Sequence, residues 1–316
     1  LPTYLDYETA LCVTNKCCMK KRLQEAGIPT ARFVTSEHWQ PELFQGMHFP
    51  VVVKPVDANS SKGVEKVNSF AVLEEKFCAA KAISRTSNVI VEEFCNGLEI
   101  TVDAYIENGK AEVLAISQVD KVPVKGKFII YRTVYPVPIS RQAQATVQQI
   151  VQDIAEAFHL INSPLLVQMI VHGDAVSVVE FSARTGGGTK HIFLKLVSGF
   201  DAIQSVVDLT MGKHYHVEHR ESPVHYIVEE YLYAHAGRLT EHAGADLLLQ
   251  DGTIAEYYRF MPEGTELAGR VQSSGDRVAG FRLEAATADE IREKHRRALQ
   301  GVKLLSDEGV DLMRRD

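Results

Sequence analysis

Two alternating runs, Leu98–Ile106 and Lys110–Val119, meet at Asn108-Gly109. Alternation with a period of two marks half-buried strands, and Asn-Gly tolerates the positive φ angles of a tight hairpin turn. This is the strongest short-range structural signal in the chain. A second hairpin is read from Leu165–Val171 and Ala175–Phe181 around His172-Gly173-Asp174. A third joins the β-branched run Phe49–Lys54, ended by Pro55, to Val64–Val67 through the long polar tip Asp57–Gly63. Val89–Phe94 is a further strand. Helical spacing appears in residues 15–26, where Met19 and Leu23 share a face and Gly27 supplies a stop. It recurs in 70–84 through Leu73, Phe77 and Ala80, and in 141–159 through Val147, Ile150, Ile154 and Phe158. Another helix is expected near residue 190, and one capped by Asp201 ends at Gly212. Residues 120–140 read as a loop. After residue 212 come short strands with glycine turns and a charged helix over 287–303, a separate small α+β unit.

At 316 residues the chain has room for a sizeable core and more than one domain. Its formal net charge of -7, with no Lys/Arg run of the kind that makes a nucleic-acid footprint, offers no positive field for nucleic acid. No stretch of about twenty apolar residues could span a membrane. The five cysteines, Cys12, Cys17, Cys18, Cys78 and Cys95, are odd in number and confined to the first third. They read as reduced thiols in a cytoplasmic protein. Cys17 and Cys18 lack a second pair at zinc-site spacing, so no structural zinc is expected. The sequence starts at Leu1 rather than Met, as a processed terminus or a fragment of a longer protein would.

Three groups of residues could carry chemistry. Lys54 stands at a strand end beside the small-residue loop Asp57-Ala58-Asn59-Ser60-Ser61-Lys62-Gly63. An ammonium group next to inward-pointing loop amides can hold phosphates; the same run also suits a solvated hairpin tip. It lacks the glycines and the Gly-Lys-Ser/Thr end of a P-loop, and no dinucleotide fingerprint is present. The second group is Glu92-Glu93-Phe94-Cys95 with Glu99. Exposed backbone groups at the end of that strand could pair with a purine edge, and Glu99 could accept bonds from ribose hydroxyls. Surface acids at a strand end are the plainer reading. The third is Glu180-Phe181-Ser182-Ala183-Arg184, followed by Thr185-Gly186-Gly187-Gly188-Thr189. On an extended strand Glu180, Ser182 and Arg184 point to one side. A glutamate there can bind Mg²⁺, and an arginine can neutralise phosphoryl or acyl oxygens. A charge pair on an edge strand is the alternative.

Taken in order, these residues resemble the ATP-grasp superfamily. Phe49–Val64 is similar to its phosphate-loop hairpin, especially in the D-alanine–D-alanine ligase branch. Asn15-Lys16 with Ala26-Gly27-Ile28-Pro29 resembles the helix that opens the nucleotide region, where the lysine reaches ATP phosphate. Glu92, Glu93, Phe94 and Cys95 resemble the adenine hinge, and Glu99 matches the ribose acid. Glu180, Ser182 and Arg184 resemble the Glu-x-Asn-x-Arg strand of the biotin carboxylase and carbamoyl phosphate synthetase branches. The resemblance covers about residues 10–212 and implies an α+β fold. Two α+β subdomains clasp the nucleotide, and a small C-terminal α+β unit is added. The corresponding division is an N-terminal helical segment 1–43, a lid 44–94, a main subdomain 95–212 and a C-terminal domain 213–316.

ATP and Mg²⁺ are the implied cofactors. Lys16, Lys54, Ser60 and Ser61 would hold phosphates, Glu180, Gln168 and Ser182 the metal, and Arg184 the oxyanion of the acyl transfer. Two positions depart from the pattern. Ser182 stands where an asparagine is usual. Gln168, twelve residues before Glu180, stands where an acid is usual, so the metal site is expected to be weak. About fifteen residues precede the first expected helix, so the α/β domain that usually lies ahead of the nucleotide region is expected to be missing. The implied reaction joins a carboxylate to an amine or a thiol through an acyl phosphate, with a small amino acid or related carboxylate as substrate. Alternatives are a bicarbonate-using carboxylase or carbamoyl-phosphate activity and a non-catalytic nucleotide-binding module. Lys125, Lys127 and Arg132 are candidate substrate or phosphate contacts. The implied partners are small-molecule carboxylates and amines, with no nucleic acid or membrane; the reading allows a homodimer.

Overall fold

The computed structural model describes residues 3–122, 128–218 and 225–315. The chain divides into two compact units. One comprises Leu1–Asn59, Gly63–Gln118 and Val137–Ser222; the other comprises Ser60–Lys62, Val119–Pro136 and Pro223–Asp316.

In the first unit the helix Lys16–Glu25 starts at Asn15, whose side chain accepts from the amides of Cys17 and Cys18. It ends as Gly27 adopts φ 71°. The Gly27 amide bonds to Gln24 O at 3.1 Å and the Ile28 amide to Leu23 O at 2.9 Å. These two bonds close the last turn in the way a left-handed glycine permits. A helix absent from the sequence reading, Tyr7–Thr14, precedes it, capped by the Asp6 side chain on Thr9 N. The turn between the helices brings the Cα atoms of Cys12 and Cys18 to 5.1 Å, and a disulfide joins them. The expectation of five reduced thiols is thereby corrected; Cys17, Cys78 and Cys95 are free.

Two antiparallel sheets follow. The smaller has the order Phe33–Ser36, Val89–Glu93, Val51–Pro55, Glu65–Val67. The helix Leu73–Ile83 covers it, burying Leu73, Phe77 and Ala80 among Phe44, Met47, Val51, Val53, Val89 and Val91. The strand Phe33–Ser36 lies upstream of residue 44, so this sheet draws in more chain than 44–94. In the larger sheet Lys110–Lys121, Leu98–Glu107, Ser163–His172 and Ala175–Ser182 are successive neighbours. Asn108 and Gly109 sit at φ 51° and 80°, the geometry their sequence suggested. The helix Arg141–Ala157 buries Val147, Ile150, Val151 and Ile154 in this sheet's core. Phe158 follows, packed edge-on against Phe181 with ring centroids 4.7 Å apart.

In the second unit Glu256–Arg259, Ala279–Ala285, Tyr226–Leu232 and Ile130–Tyr135 pair in that order. Ile130–Tyr135 corrects the expected loop over 120–140. Its β-branched and aromatic residues become a strand by pairing Tyr135 with Ile227, a partner remote in sequence. A three-stranded sheet of Glu266–Ala268, Ala236–Ala243 and Lys303–Ser306 completes the unit with the helix Ala288–Gly301. No helix among the described residues is long and apolar enough to cross a membrane.

Phe158 is fully buried. Truncating it should leave a cavity and remove the edge-on contact. Phe158→Ala should cost about 3–5 kcal/mol in urea unfolding; a loss below about 1 kcal/mol would show that this ring does not hold the core together.

Candidate functional site

Lysines from one helix and one strand converge on two glutamates within the first unit. Lys16 opens its helix, and its amide bonds to Val56 O at 3.0 Å, which fixes the helix start against the strand Val51–Pro55. Its Nζ donates to Ala58 O at 2.7 Å and lies 3.4 Å from Glu180 Oε2. Lys54 Nζ donates to Glu92 Oε2 at 2.6 Å, both groups being buried. Glu92 lies directly across the sheet from Val52 and faces the same interior.

A third lysine belongs to this cluster and was missed in the sequence. Lys20 is 1% exposed, donates to Thr30 Oγ1 at 2.6 Å and Val178 O at 3.1 Å, and lies 3.4 Å from Glu92 Oε1. That Glu92 oxygen is buried and has no hydrogen bond of acceptable geometry. The available signal was spacing: Lys20 is one helical turn after Lys16. A second buried pair carried no local signal. Lys190 Nζ donates to Asp103 Oδ2 at 2.8 Å and Ser117 Oγ at 3.0 Å. Gly186 is small for a related reason, since a Cβ there would meet Lys190 Cγ at 2.7 Å.

Glu180 owes its position to a β-bulge. Gln168 pairs with Glu180, but the next residue, Met169, pairs with Val178, leaving Val179 as an extra residue. Before the bulge Val176 and Val178 are buried; after it Phe181 and Ala183 are. The extra residue reverses the alternation, so Glu180 leaves the core face and meets Lys16. Gln168 and Glu180 are therefore cross-strand neighbours, with Ser182 next along the strand opposite Leu166. Among the described residues no group of three or more His, Cys, Asp or Glu could hold a metal. One carboxylate with an amide and a hydroxyl suits a Mg²⁺ that takes its other ligands from phosphate oxygens and water.

Other expected residues are arranged differently. The strand ends at Ser182 and the chain bends, so Arg184 is exposed and donates to Thr185 O at 2.7 Å instead of joining Glu180. At the expected hinge the amides of Glu93 and Phe94 are engaged by Arg32 O at 2.9 Å and Pro50 O at 3.0 Å. These two amides are thus not among the exposed backbone groups expected at the end of that strand. The Glu93 carboxylate accepts from His48 N at 2.9 Å, and Lys66 Nζ sits 3.5 Å above the Phe94 ring. Cys95 is a half-buried free thiol. Glu99 contributes to the field at Lys54. Ser60 and Ser61 both adopt positive φ, 58° and 59°, a strained conformation for residues with a Cβ. Ser61 Oγ donates to Phe128 O at 2.9 Å. In the second unit Arg132 pairs with Asp120 at 2.8 Å. Lys125 and Lys127 lie outside the described residues.

The cluster's charges are mutually dependent. Burial pushes the Glu92 carboxyl up, but Lys20 and Lys54 outweigh it and hold the group below its ordinary range. Burial pushes Lys54 down, and Glu92 and Glu180 more than reverse that. For Lys20 burial prevails and the ammonium falls below its ordinary value despite Glu92. Glu180, 36% exposed but closely surrounded, is raised by that enclosure and lowered further by Lys16 and Lys54. A depressed carboxyl contributes stability that is present above the ordinary carboxylate range and lost as pH falls through the depressed value. The parent should therefore keep this contribution on acidification until below that range. Glu92→Gln strands two buried ammonium groups and should cost about 3–5 kcal/mol at neutral pH. Its stability should also depend less on pH below the carboxylate range. Denaturant melts across pH check both; equal stability at neutral pH would contradict the pairing.

Known proteins resemble this chain in sequence and in fold. The ATP-grasp domain family matches residues 47–192. Phosphoribosylamine–glycine ligase of Lactococcus lactis subsp. lactis (strain IL1403) is 26% identical over 65% of this chain and 52% of its own length. The L-arginine-specific L-amino acid ligase of Bacillus subtilis is 23% identical over 58% of this chain and 46% of its own. The chain thus spans about half the length of these curated relatives. Among solved structures, an L-amino acid ligase from Bacillus licheniformis superposes with a TM-score of 0.82 at 21% identity, covering 97% of this chain and 75% of that one. The chain carries an ATP-grasp domain over residues 47–192, and nearly its whole length has the α+β fold of that ligase structure.

Proposed function

We propose that the protein is an ATP-dependent ligase that joins a carboxylate to an amine through an acyl phosphate, with an amino acid among its substrates. The observation that carries this reading is the convergence of Lys16, Lys20 and Lys54 on Glu92 and Glu180. Three cations face the two carboxylates they pair with directly, with Glu99 acting on Lys54 from further off. A triphosphate supplies anionic oxygens for these cations. The likeness to two amino-acid ligases supports the substrate class.

A carboxylate is a poor electrophile. In the proposed reaction its oxygen attacks the γ-phosphorus of ATP, and the bond from phosphorus to the ADP oxygen breaks. The nitrogen of a neutral amine then attacks the acyl carbon. The carbon–oxygen bond to phosphate breaks, and the nitrogen loses a proton to give the amide, ADP and inorganic phosphate. Lys16 and Lys54 hold phosphate oxygens, and positive charge there favours the loose, charge-spread transfer state. Lys54 reaches phosphate by exchanging its bond to Glu92, while Lys20 remains to neutralise that carboxylate. Glu180 and Gln168, with Ser182, would hold Mg²⁺, which supplies charge neutralisation at the phosphates. Arg184 is free to swing toward the acyl oxygen, because its bond in this structure is to its own neighbour.

Lys54→Ala should weaken ATP binding at least about tenfold, or ~1.4 kcal/mol. Unchanged affinity in a folded variant, measured by titration calorimetry, would count against the site. Glu180→Gln should abolish metal-dependent ADP release while leaving the melting profile near that of the parent. Gln168→Glu should tighten Mg²⁺ binding in the ATP complex by restoring the second charge. If Glu180→Gln releases ADP at the parental rate, the metal assignment is wrong. ATP binding with no ADP release for any pair of amino acids would instead indicate a nucleotide-binding module.

A further inference from the structure

The face of the larger sheet that carries Glu180 continues two strands further into the first unit. Ile100, Val102 and Ala104 of the strand Leu98–Glu107 belong to the core, so Thr101 and Asp103 point to the opposite face. The register extends that face across the sheet. Thr101 pairs with Gln168 and Gln168 with Glu180; Asp103 pairs with Leu166 and Leu166 with Ser182. Asp103 therefore stands in one row with Ser182, two strands away. Lys190 is bonded to it, and both are buried. Neither charge could be buried there without the other.

Ser182 ends its strand and Lys190 begins the helix Lys190–Ser198. The glycine turn lies between them, and Gly186 rests on the ion pair. A Cβ on Gly186 would meet Lys190 Cγ at 2.7 Å, Lys190 Cβ at 3.0 Å and Asp103 Oδ1 at 3.3 Å. A Cβ on the next residue, Gly187, would meet nothing within 4 Å. Neither glycine adopts a positive φ, so crowding is what sets them apart. From Ser182 to Gly186 the chain thus returns across the sheet to the third strand of the row. Two strand spacings are about 10 Å, and four residues reach about 14 Å at most. Arg184 is the middle residue of that span.

We propose that Lys190 and Asp103 are positioning residues for Arg184. Their pair holds Gly186 against the sheet and so fixes the backbone from which the Arg184 side chain reaches the acyl oxygen. The assignment rests on the ligase reading above. A guanidinium misplaced by about 1 Å loses much of its hold on a developing oxyanion, whereas other residues hold ATP. The pair governs turnover and leaves ATP affinity alone.

Three quantities are measured on the full chain. They are steady-state ADP release with ATP, Mg²⁺ and pairs of proteinogenic L-amino acids, ATP affinity by calorimetry, and amide exchange of residues 185–189. Gly186→Ala should lower kcat about tenfold, keep ATP affinity within about twofold and speed the exchange. Gly187→Ala should match the parent in all three. In an Arg184→Ala background Gly186→Ala should cost no further turnover, because both act through one group. Should Gly186→Ala fail to fold, Lys190→Met combined with Asp103→Asn removes both charges together and should show the same pattern. An equal loss in Gly187→Ala, a loss that persists in full in Arg184→Ala, or an ATP affinity that falls as far as turnover would each overturn the assignment. Parental turnover that is indifferent to Gly186 defeats this assignment alone. No turnover by the parent defeats the ligase reading. Exchange that quickens in Gly186→Ala but not in Gly187→Ala would then still support the anchor, and equal exchange in the two would overturn it.

Discussion

Glu92 is a carboxylate buried between two buried ammonium groups, Lys54 at 2.6 Å and Lys20 at 3.4 Å. No member of this trio could be buried alone, because an isolated charge loses far more hydration than packing returns. The trio therefore ties together the helix Lys16–Glu25 and the strands Val51–Pro55 and Val89–Glu93. Lys20 extends the tie to the larger sheet through Val178 O. A network of this kind stabilises little beyond what an apolar core would. It fixes where Lys54 points, and it keeps that lysine charged.

Glu180 depends on the same frame from the other side. The extra residue Val179 turns it out of the core and toward Lys16, and the pairing with Gln168 sets a neutral amide beside it. A metal held by this half-charged arrangement would rely on its nucleotide. Phosphate oxygens bring the negative charge that a second acid would otherwise have supplied.

Much of the scaffold was legible in the sequence. Asn108-Gly109, Gly27 and Asp201 each act within a few residues, and each adopts the turn, stop or cap that its chemistry suggests. What was hidden depended on distant partners. Ile130–Tyr135 pairs with Tyr226–Leu232, a strand remote in sequence. Lys190 finds Asp103 across 87 positions of sequence. The bulge at Val179 leaves no mark in composition, although it decides which way Glu180 faces. Among the candidate residues, Lys16, Lys54 and Glu180 lie in one cluster as their order suggested. Glu92 joined them as a buried ion-pair partner, a role that a strand-end acid does not advertise. Arg184 escaped the alternation argument because the strand stops two residues before it.

The central claim is that the lysine–glutamate cluster is a triphosphate site, and a crystal structure with a non-hydrolysable ATP analogue and Mg²⁺ tests it most directly. The account predicts β- and γ-phosphate oxygens within hydrogen-bond distance of Lys16 and Lys54, the Lys54–Glu92 bond lengthened or exchanged, Lys20 still against Glu92, and the metal on Glu180. A nucleotide bound elsewhere, with Lys54 still at 2.6 Å from Glu92, would contradict it.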